Sequence, residues 1–279
     1  MSETVTSGTI PMRAVIMAGG KGTRLAPYTT VLPKPLVPVG GVPILETVLR
    51  QLRHAGFTEA VLAVGYLSPL IRAYIDQNPI SRQMAIRYHQ EAAPLGTAGP
   101  LATIDGLDGP FLAMNGDLLT TLDYAAMMRF HVAHRAALTV AVTDRRVQVE
   151  VGVLGMDGTD RIVTYTEKPL QVFPASMGIY ICSPTIRRHM RAGVPMDIPD
   201  LVLRLIAAGE VVMGFRSDAA WLDMGTRADY ERASDAFERD RAAYLPDEVV
   251  DEVVDEVPGE VKAAALHLVA AQPDGAHAH

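Results

Sequence analysis

Residues 17–38 read Met-Ala-Gly-Gly-Lys-Gly-Thr-Arg-Leu-Ala-Pro-Tyr-Thr-Thr-Val-Leu-Pro-Lys-Pro-Leu-Val-Pro, a run whose residue types suit the handling of phosphate. Gly19, Gly20 and Gly22 directly follow an apolar stretch that reads as a buried strand. Lacking Cβ atoms, they let the backbone approach a ligand and turn successive N–H groups into one concavity, a nest that suits a triphosphate. Arg24 and Lys34 add fixed positive charge, and Pro35 stiffens the segment that presents Lys34. The string is neither the dinucleotide fingerprint G-x-G-x-x-G nor a Walker loop, because the Lys-Ser/Thr ending is missing. Three glycines after a strand are often only a turn; the full string is far more specific.

Three later clusters carry chemistry of a matching kind. Residues 111–117, Phe-Leu-Ala-Met-Asn-Gly-Asp, place a carboxylate at the carboxyl edge of a sheet, where α/β proteins bind ligands. Residues 221–226, Trp-Leu-Asp-Met-Gly-Thr, hold the only tryptophan and a second carboxylate, Asp223. Asp117 and Asp223 together would complete a Mg²⁺ site, since magnesium commonly takes one or two carboxylates beside phosphate oxygens and water. Read singly, Asp117 is a strand-to-turn aspartate and Asp223 a capping or turn residue. Residues 165–169, Tyr-Thr-Glu-Lys-Pro, end a strand with Glu167 and Lys168, in isolation a solvated surface pair. Lysine is scarce: Lys21, Lys34, Lys168 and Lys262 are the only four among 25 basic residues, and three of them fall in these motifs. Lysine presents a compact point charge to phosphate, which arginine does not. The histidines form no metal-ligand pattern, and no nucleophile elbow occurs.

The elements that must position these groups follow from periodicity. Residues 13–18, 60–64, 85–89, 111–114 and 137–142 read as strands. Ile44, Leu45, Val48, Leu49 and Leu52 recur at helical spacing, with Gly56 as a stop. Further helices fall near residues 69–76, 98–104 and 123–134, the last with Asp123 as N-cap. This succession predicts an α/β fold: a Rossmann-like mixed, mostly parallel sheet sandwiched by helices. After residue 144 the strands shorten, to 152–155, 161–166 and 177–182, which suggests a second half within one continuous sheet. Helices near 199–208 and 226–241 finish the folded body. From residue 246 acidic pairs alternate with valine pairs around a Pro-Gly stop, and 263–271 has the pattern of a short helix. A solvated tail is the default reading there, docking onto another subunit the sharper one.

Composition narrows the function classes. The chain has 279 residues, 49% apolar and 20% charged, ordinary values for a soluble globular protein. No apolar run approaches the ~18 residues that cross a bilayer, so no membrane partner is expected. Residues 1–11 lack the basic start and apolar core of a secretory signal, and the lone Cys182 makes a cytoplasmic home the expectation. A net charge of −7 argues against a nucleic-acid partner. An anionic ligand must therefore be held by locally placed cations.

The pattern G-G-x-G-T-R-L-x-P-x-T followed by P-K-P-L-x-P resembles the signature of sugar-1-phosphate nucleotidyltransferases. It is most similar to mannose-1-phosphate guanylyltransferases and related bacterial NDP-sugar synthases. The resemblance covers residues 12–241 as one nucleotidyltransferase domain, between a disordered start at 1–11 and an acidic, flexible tail at 242–279. It implies Mg²⁺-dependent transfer of a nucleotidyl group from a nucleoside triphosphate to a sugar 1-phosphate, and a homo-oligomer, dimer or tetramer. By the resemblance, Ala18, Gly19, Gly20, Gly22 and Thr23 line the nucleotide, while Arg24 and Lys34 hold the reacting phosphates. Asp117 and Asp223 match the metal-binding aspartates. Asn115, Gly152, Glu167, Lys168 and Gly178 match sugar-phosphate positions, with Glu167 accepting from sugar hydroxyls and Lys168 contacting the phosphate. Val151 departs from the aromatic residue often found before the glycine, so a hexose, a heptose or a cyclitol phosphate are all open. Residues 91–99, with Glu91, Gly96 and Thr97, resemble the base-recognition loop. Glu91 stands where thymidylyl- and uridylyl-type relatives use glutamine, and a carboxylate has only acceptors to offer, which suits guanine N1–H and N2–H₂. GTP is thus the favoured nucleotide; dTTP, UTP or ATP use, or a catalytically silent NDP-sugar-binding regulator, are the alternatives.

Overall fold

The computed structural model describes residues 12–91 and 93–246. The start at 1–11 and the tail beyond 246, with its expected helix at 263–271, lie outside the described residues. The strands are β1 (Met12–Ala18), β2 (Pro38–Val39), β3 (Val42–Pro43), β4 (Phe57–Val64), β5 (Ala85–Gln90), β6 (Phe111–Asn115), β7 (Leu118–Thr120), β8 (Leu138–Gln148), β9 (Val153–Met156), β10 (Ile162–Thr166), β11 (Leu170–Cys182), β12 (Val212–Arg216) and β13 (Trp221–Asp223). The helices are α1 (Ile44–His54), α2 (Ser68–Gln77), α3 (Tyr124–Ala133), α4 (Ile198–Ala207), α5 (Arg227–Arg239) and α6 (Arg241–Tyr244).

Among the described residues, seven strands make one sheet in the order β12-β8-β11-β6-β1-β4-β5. The β1–β4, β1–β6, β4–β5 and β8–β12 pairs are parallel, and β11 runs antiparallel between β6 and β8. A strand covered on both faces is apolar on both, which is why β1, β4 and β6 read as near-continuous Val, Ile, Leu and Ala. Successive residues then divide between two cores. Ala14, Ile16 and Ala18 pack with Leu45 and Leu49 of α1 and Phe237 of α5. Val15, Val61 and Ala113 face the other way, against Leu201 and Leu205 of α4. Full burial of each large side chain stabilises by roughly 1.5–3 kcal/mol. The five periodic apolar residues of α1 are all buried, and Gly56, at φ +91°, turns the chain out of the helix. Asp123 caps α3 as expected, its Oδ1 accepting from Ala126 N at 2.7 Å.

Some expectations are corrected. The second half is only partly continuous with the sheet: β8 and β11 join it, but β9 and β10 form their own two-stranded ladder. The expected helix at 98–104 is a 3₁₀ turn, Gly99–Ala102, and the helix expected to run to 241 breaks at Asp240, which caps α6 instead. Strands β2, β3, β7 and β12 were not expected, whereas Asp223 stands at a strand end, that of β13, as expected. β11 begins at Leu170 rather than 177; Leu170 pairs with Gln148 and Ser176 with Val142, whereas β6 meets β11 only from Ile179 onward. The outer halves of β8 and β11 thus leave the sheet as an arm. Leu154, Ile162, Tyr165 and Phe173 on this arm are exposed.

His131 ties the layers together. Its Nε2 lies 3.0 Å from Ser183 Oγ, and because that hydroxyl donates to Ala136 O at 2.7 Å, Nε2 carries the proton. Nδ1 is then the acceptor for Thr139 Oγ1 at 2.9 Å. Burial lowers the His131 pKa to about 4. The unfolded chain therefore binds a proton that the folded chain refuses between the ordinary histidine value and about 4. This contribution is full above ~6.5 and is lost as the pH falls, at up to about 1.4 kcal/mol per pH unit. Denaturant unfolding of His131→Gln, which keeps hydrogen bonding without titrating, is expected to show a shallower decline than wild type across that window. Parallel curves would remove His131 as the source.

Candidate active site

Three adjacent parallel strands, β1, β4 and β6, deliver Gly19, Gly65 and Gly116 to the same edge of the sheet. A cavity of about 640 Å³ opens there, lined by Ala18, Gly19, Gly20, Lys34, Glu91 and Asp117 among others. The glycines are needed because backbones meet. A Cβ on Gly65 would stand 3.0 Å from Gly19 O, and one on Gly116 would stand 2.9 Å from Met17 O. Gly19 itself faces Glu91, whose Oε1 would lie 3.2 Å from an added Cβ.

The loop after β1 is shaped by Gly22, at φ +62°. Its carbonyl accepts from Leu25 N at 2.9 Å and Thr29 Oγ1 at 2.7 Å, and a Cβ there would come within 3.0 Å of the Lys34 side chain. Buried Leu25 anchors the loop, and Pro35 opens the short 3₁₀ turn Lys34–Leu36. Lys34 Nζ thereby reaches Asp117 Oδ2, with both side chains largely withdrawn from water.

Asp117 and Asp223 are brought together by backbone pairing. Asp223 ends β13 opposite Leu118, and Met224 N donates to Asp117 O at 3.2 Å. Trp221 fixes β13 from the side, its Nε1 donating to Met177 O at 2.8 Å. Asp223 is not a helix cap; Thr226 and Asp229 form the capping box of α5. Loss of water and the charge of Asp117 push the Asp223 carboxyl above its ordinary value, while Lys34 and Arg24 pull it back. Arg24 lies outside the cavity lining, on the Asp223 side, its Nη1 3.5 Å from a Cβ on Gly225. Among the described residues no third His, Cys, Asp or Glu joins the pair. Asp223, like Arg24, does not line the cavity, but two hard carboxylates are donors of the kind Mg²⁺ takes beside phosphate oxygens and water.

The expected sugar-side residues divide into two groups. Asn115 lines the cavity, and Gly178, at φ +71°, sits against it: a Cβ would be 2.9 Å from Asn115 Nδ2. Gly152 and Glu167 meet on the arm instead, where Tyr165 OH donates to Glu167 Oε2 at 2.9 Å and a Cβ on Gly152 would collide with the Tyr165 hydroxyl at 2.3 Å. Neither they nor Lys168 line the cavity. Thr23 is also outside it and exposed, whereas Gly96 and Thr97 are part of the wall. Gly65, Tyr66 and Gln90 line the cavity without having been expected. A glycine directly after the apolar run of β4 was the available signal, since it repeats the pattern that follows β1.

Residues 13–240 match the family model described as nucleotidyl transferase. The chain is 34% identical over 228 residues to a probable mannose-1-phosphate guanylyltransferase 1 of Oryza sativa subsp. japonica, covering 78% of this chain and 63% of that protein. It is 33% identical over 227 residues to a mannose-1-phosphate guanylyltransferase catalytic subunit beta of Danio rerio, covering 78% and 62%. The chain thus spans less than two thirds of the length of these relatives. Among solved structures, HddC from Yersinia pseudotuberculosis complexed with GMP-PN superposes with a TM-score of 0.62 at 25% identity, over 81% of this chain and 99% of that one. With the match running from β1 through α5, this chain belongs to the nucleotidyl transferase family.

Proposed function

We propose that this protein transfers a guanylyl group from GTP to a sugar 1-phosphate, releasing pyrophosphate. The observation that carries the reading is the convergence of the glycine loop, Lys34, Asp117 and Asp223 at one edge of the sheet. A sugar phosphate has its second pKa near ~6 and is largely dianionic at neutral pH, so its oxygen attacks the α-phosphorus without a general base. A bond forms from that oxygen to the α-phosphorus, the bond to the β-phosphate oxygen breaks, and pyrophosphate leaves with the electron pair. The difficulty is charge: each pair of like unit charges ~4 Å apart repels by about 4 kcal/mol at an effective dielectric of 20. In this reading Lys34, in the cavity wall, and Arg24, on the Asp223 side, stabilise the α-phosphate and the leaving group. The backbone of Gly19 and Gly20 cradles the triphosphate. Asp117 and Asp223 would hold Mg²⁺, which when bound supplies positive charge shared between the carboxylates and the phosphates. Lys168 orients the sugar phosphate, which requires the arm to come down over the cavity.

Glu91 supports the choice of guanine. Its Oε2 accepts from Leu95 N at 3.1 Å, so the carboxylate is held in the cavity wall by its own loop. Relatives named as guanylyltransferases, and the HddC structure named with GMP-PN, support the same nucleotide. The exposed apolar residues of the arm support a homo-oligomer, and the single, buried Cys182 supports a cytoplasmic setting. Among the described residues no helix is long and apolar enough to cross a membrane.

A pyrophosphate-release assay with four nucleoside triphosphates against several sugar 1-phosphates is expected to show GTP preferred. Preference for UTP or dTTP overturns the base, and no turnover with any pair favours a silent binding protein. Glu91→Gln is expected to reduce the preference for GTP over UTP by about 100-fold, since an acceptor facing guanine's donors is replaced by an amide. Asp223→Ala is expected to lower kcat by at least about 100-fold with Mg²⁺ present and an unchanged circular dichroism spectrum. Full activity at saturating substrate would remove Asp223 from the metal site. Lys168→Met is expected to raise KM for the sugar 1-phosphate about tenfold with little change in KM for the nucleotide; an unchanged kcat/KM would detach Lys168 from the site.

A further inference from the structure

The wall of the cavity formed by residues 93–97 is held from outside, by the segment that opens α4. Met196 N donates to Leu95 O at 2.9 Å, and Met196 O accepts from Ala98 N at 2.9 Å and Gly99 N at 3.0 Å. Gly96, at φ +76°, is pressed so closely against this segment that a Cβ would stand 2.6 Å from Met196 O and 2.7 Å from Asp197 Oδ1. Gly96 is thus demanded by contact with its neighbour, whatever it touches in the cavity.

Asp197 is the N-cap of α4, where an aspartate ordinarily accepts from the second or third backbone N–H of its own helix. Here its side chain makes no such bond. Oδ1 instead accepts from Thr97 N at 2.9 Å and Thr97 Oγ1 at 3.1 Å, a hundred residues away in the chain. The Thr97 hydroxyl in turn accepts from Ile198 N at 2.9 Å, so the first turn of α4 receives its side-chain acceptor from the opposite loop. The exchange of partners locks Thr97 between the carboxylate and the helix. Leu95, two residues earlier, is the donor that fixes Glu91.

We infer that Asp197 is a positioning residue for nucleotide selection: through Thr97 and Leu95 it sets the loop that presents Glu91 to the base, without touching the nucleotide itself. This rests on the reading of the cavity as a nucleotide site. A misplacement of ~1 Å at such a site can change rate or binding by as much as about 100-fold. Nothing in the local sequence marks Asp197 for this, since Asp before an apolar helical run reads simply as a cap.

The test compares Asp197→Ala, Asp197→Asn and Asp197→Ser by calorimetric titration with each of the four nucleoside triphosphates and by steady-state kinetics. Asp197→Ala is expected to weaken binding of the triphosphate that wild type prefers, and to raise its KM, about tenfold, with kcat and KM for the sugar 1-phosphate within about twofold of wild type. Asp197→Asn keeps an acceptor for Thr97 N and is expected to restore most of the affinity. Asp197→Ser is the discriminating variant: a serine caps α4 with its own hydroxyl but is too short to reach Thr97. It is expected to remain as weak as Asp197→Ala. Wild-type affinity in Asp197→Ser shows that only helix capping matters and overturns the inference, as does unchanged affinity in Asp197→Ala. If Asp197→Ala loses its thermal unfolding transition, the serine and asparagine variants decide. Wild type that binds none of the four overturns the nucleotide reading and this inference together; wild type that binds one, with variants unaffected, overturns this inference alone.

Discussion

Two carboxylates held side by side repel each other, and the arrangement around Asp117 and Asp223 exists to offset that repulsion. Backbone pairing fixes them: Asp223 cannot leave the end of β13 while Met224 N is bonded to Asp117 O. Lys34 answers one carboxylate directly and Arg24 acts on the other. The apolar strands behind the site supply rigidity, because a closely packed parallel sheet cannot relax to separate the charges. A pair kept together against its own charge is a standing demand for cations. Within the structure that demand is met by Lys34 and Arg24.

The order of the chain explains how this edge was assembled. The nest comes from β1, its wall from β4 and β5, and the first carboxylate from β6, all parallel neighbours on one side of the sheet. The second carboxylate returns from beyond residue 220, on a short strand that pairs only with β7. Gly178 arrives on β11, which shares its inner half with the sheet and its outer half with the arm. The glycine-lined part of the edge is therefore made of sequence-local strand–turn units, whereas Asp223 and Gly178 reach it by long-range returns.

That difference decides what could be read from the sequence. β1, β4, β6 and α1 were legible because burial on two faces, or on one helical stripe, writes itself into an uninterrupted or periodic apolar pattern. Asp123 announced its own cap. The glycine loop, Lys34 and Asp117 were legible as motifs, and the structure gathers them. The arm was legible in part: the strands expected at 152–155 and 161–166 stand as β9 and β10, but the outer half of β11, with Pro174 inside it and its apolar residues in the open, carries no clean period. Glu167 and Lys168 could be picked out as a pair, but their separation from Asn115 depends on the length of β11, which a pattern ending at 182 and starting at 177 understated. Strand β12, as long as β6, escaped because its run Val-Met-Gly-Phe-Arg is interrupted by a glycine and ends on a charge, whereas β6 is apolar and buried from Phe111 to Met114. Asp197 is the sharpest case, since its partner Thr97 has no sequence proximity to it at all.

The antiparallel insertion of β11 also bears on how the chain reaches this state as it is made. β6 can pair with β1 as soon as it is synthesised, but its other edge waits for Ile179–Cys182. Until those residues leave the ribosome, a strand of Phe, Leu, Ala and Met presents one row of unsatisfied N–H and C=O groups. Such an edge is a template for pairing with other chains. A nascent or truncated chain ending before β11 therefore carries an aggregation-prone seam through the middle of its future sheet, and the full-length protein closes that seam with the strand that also holds Gly178 against Asn115.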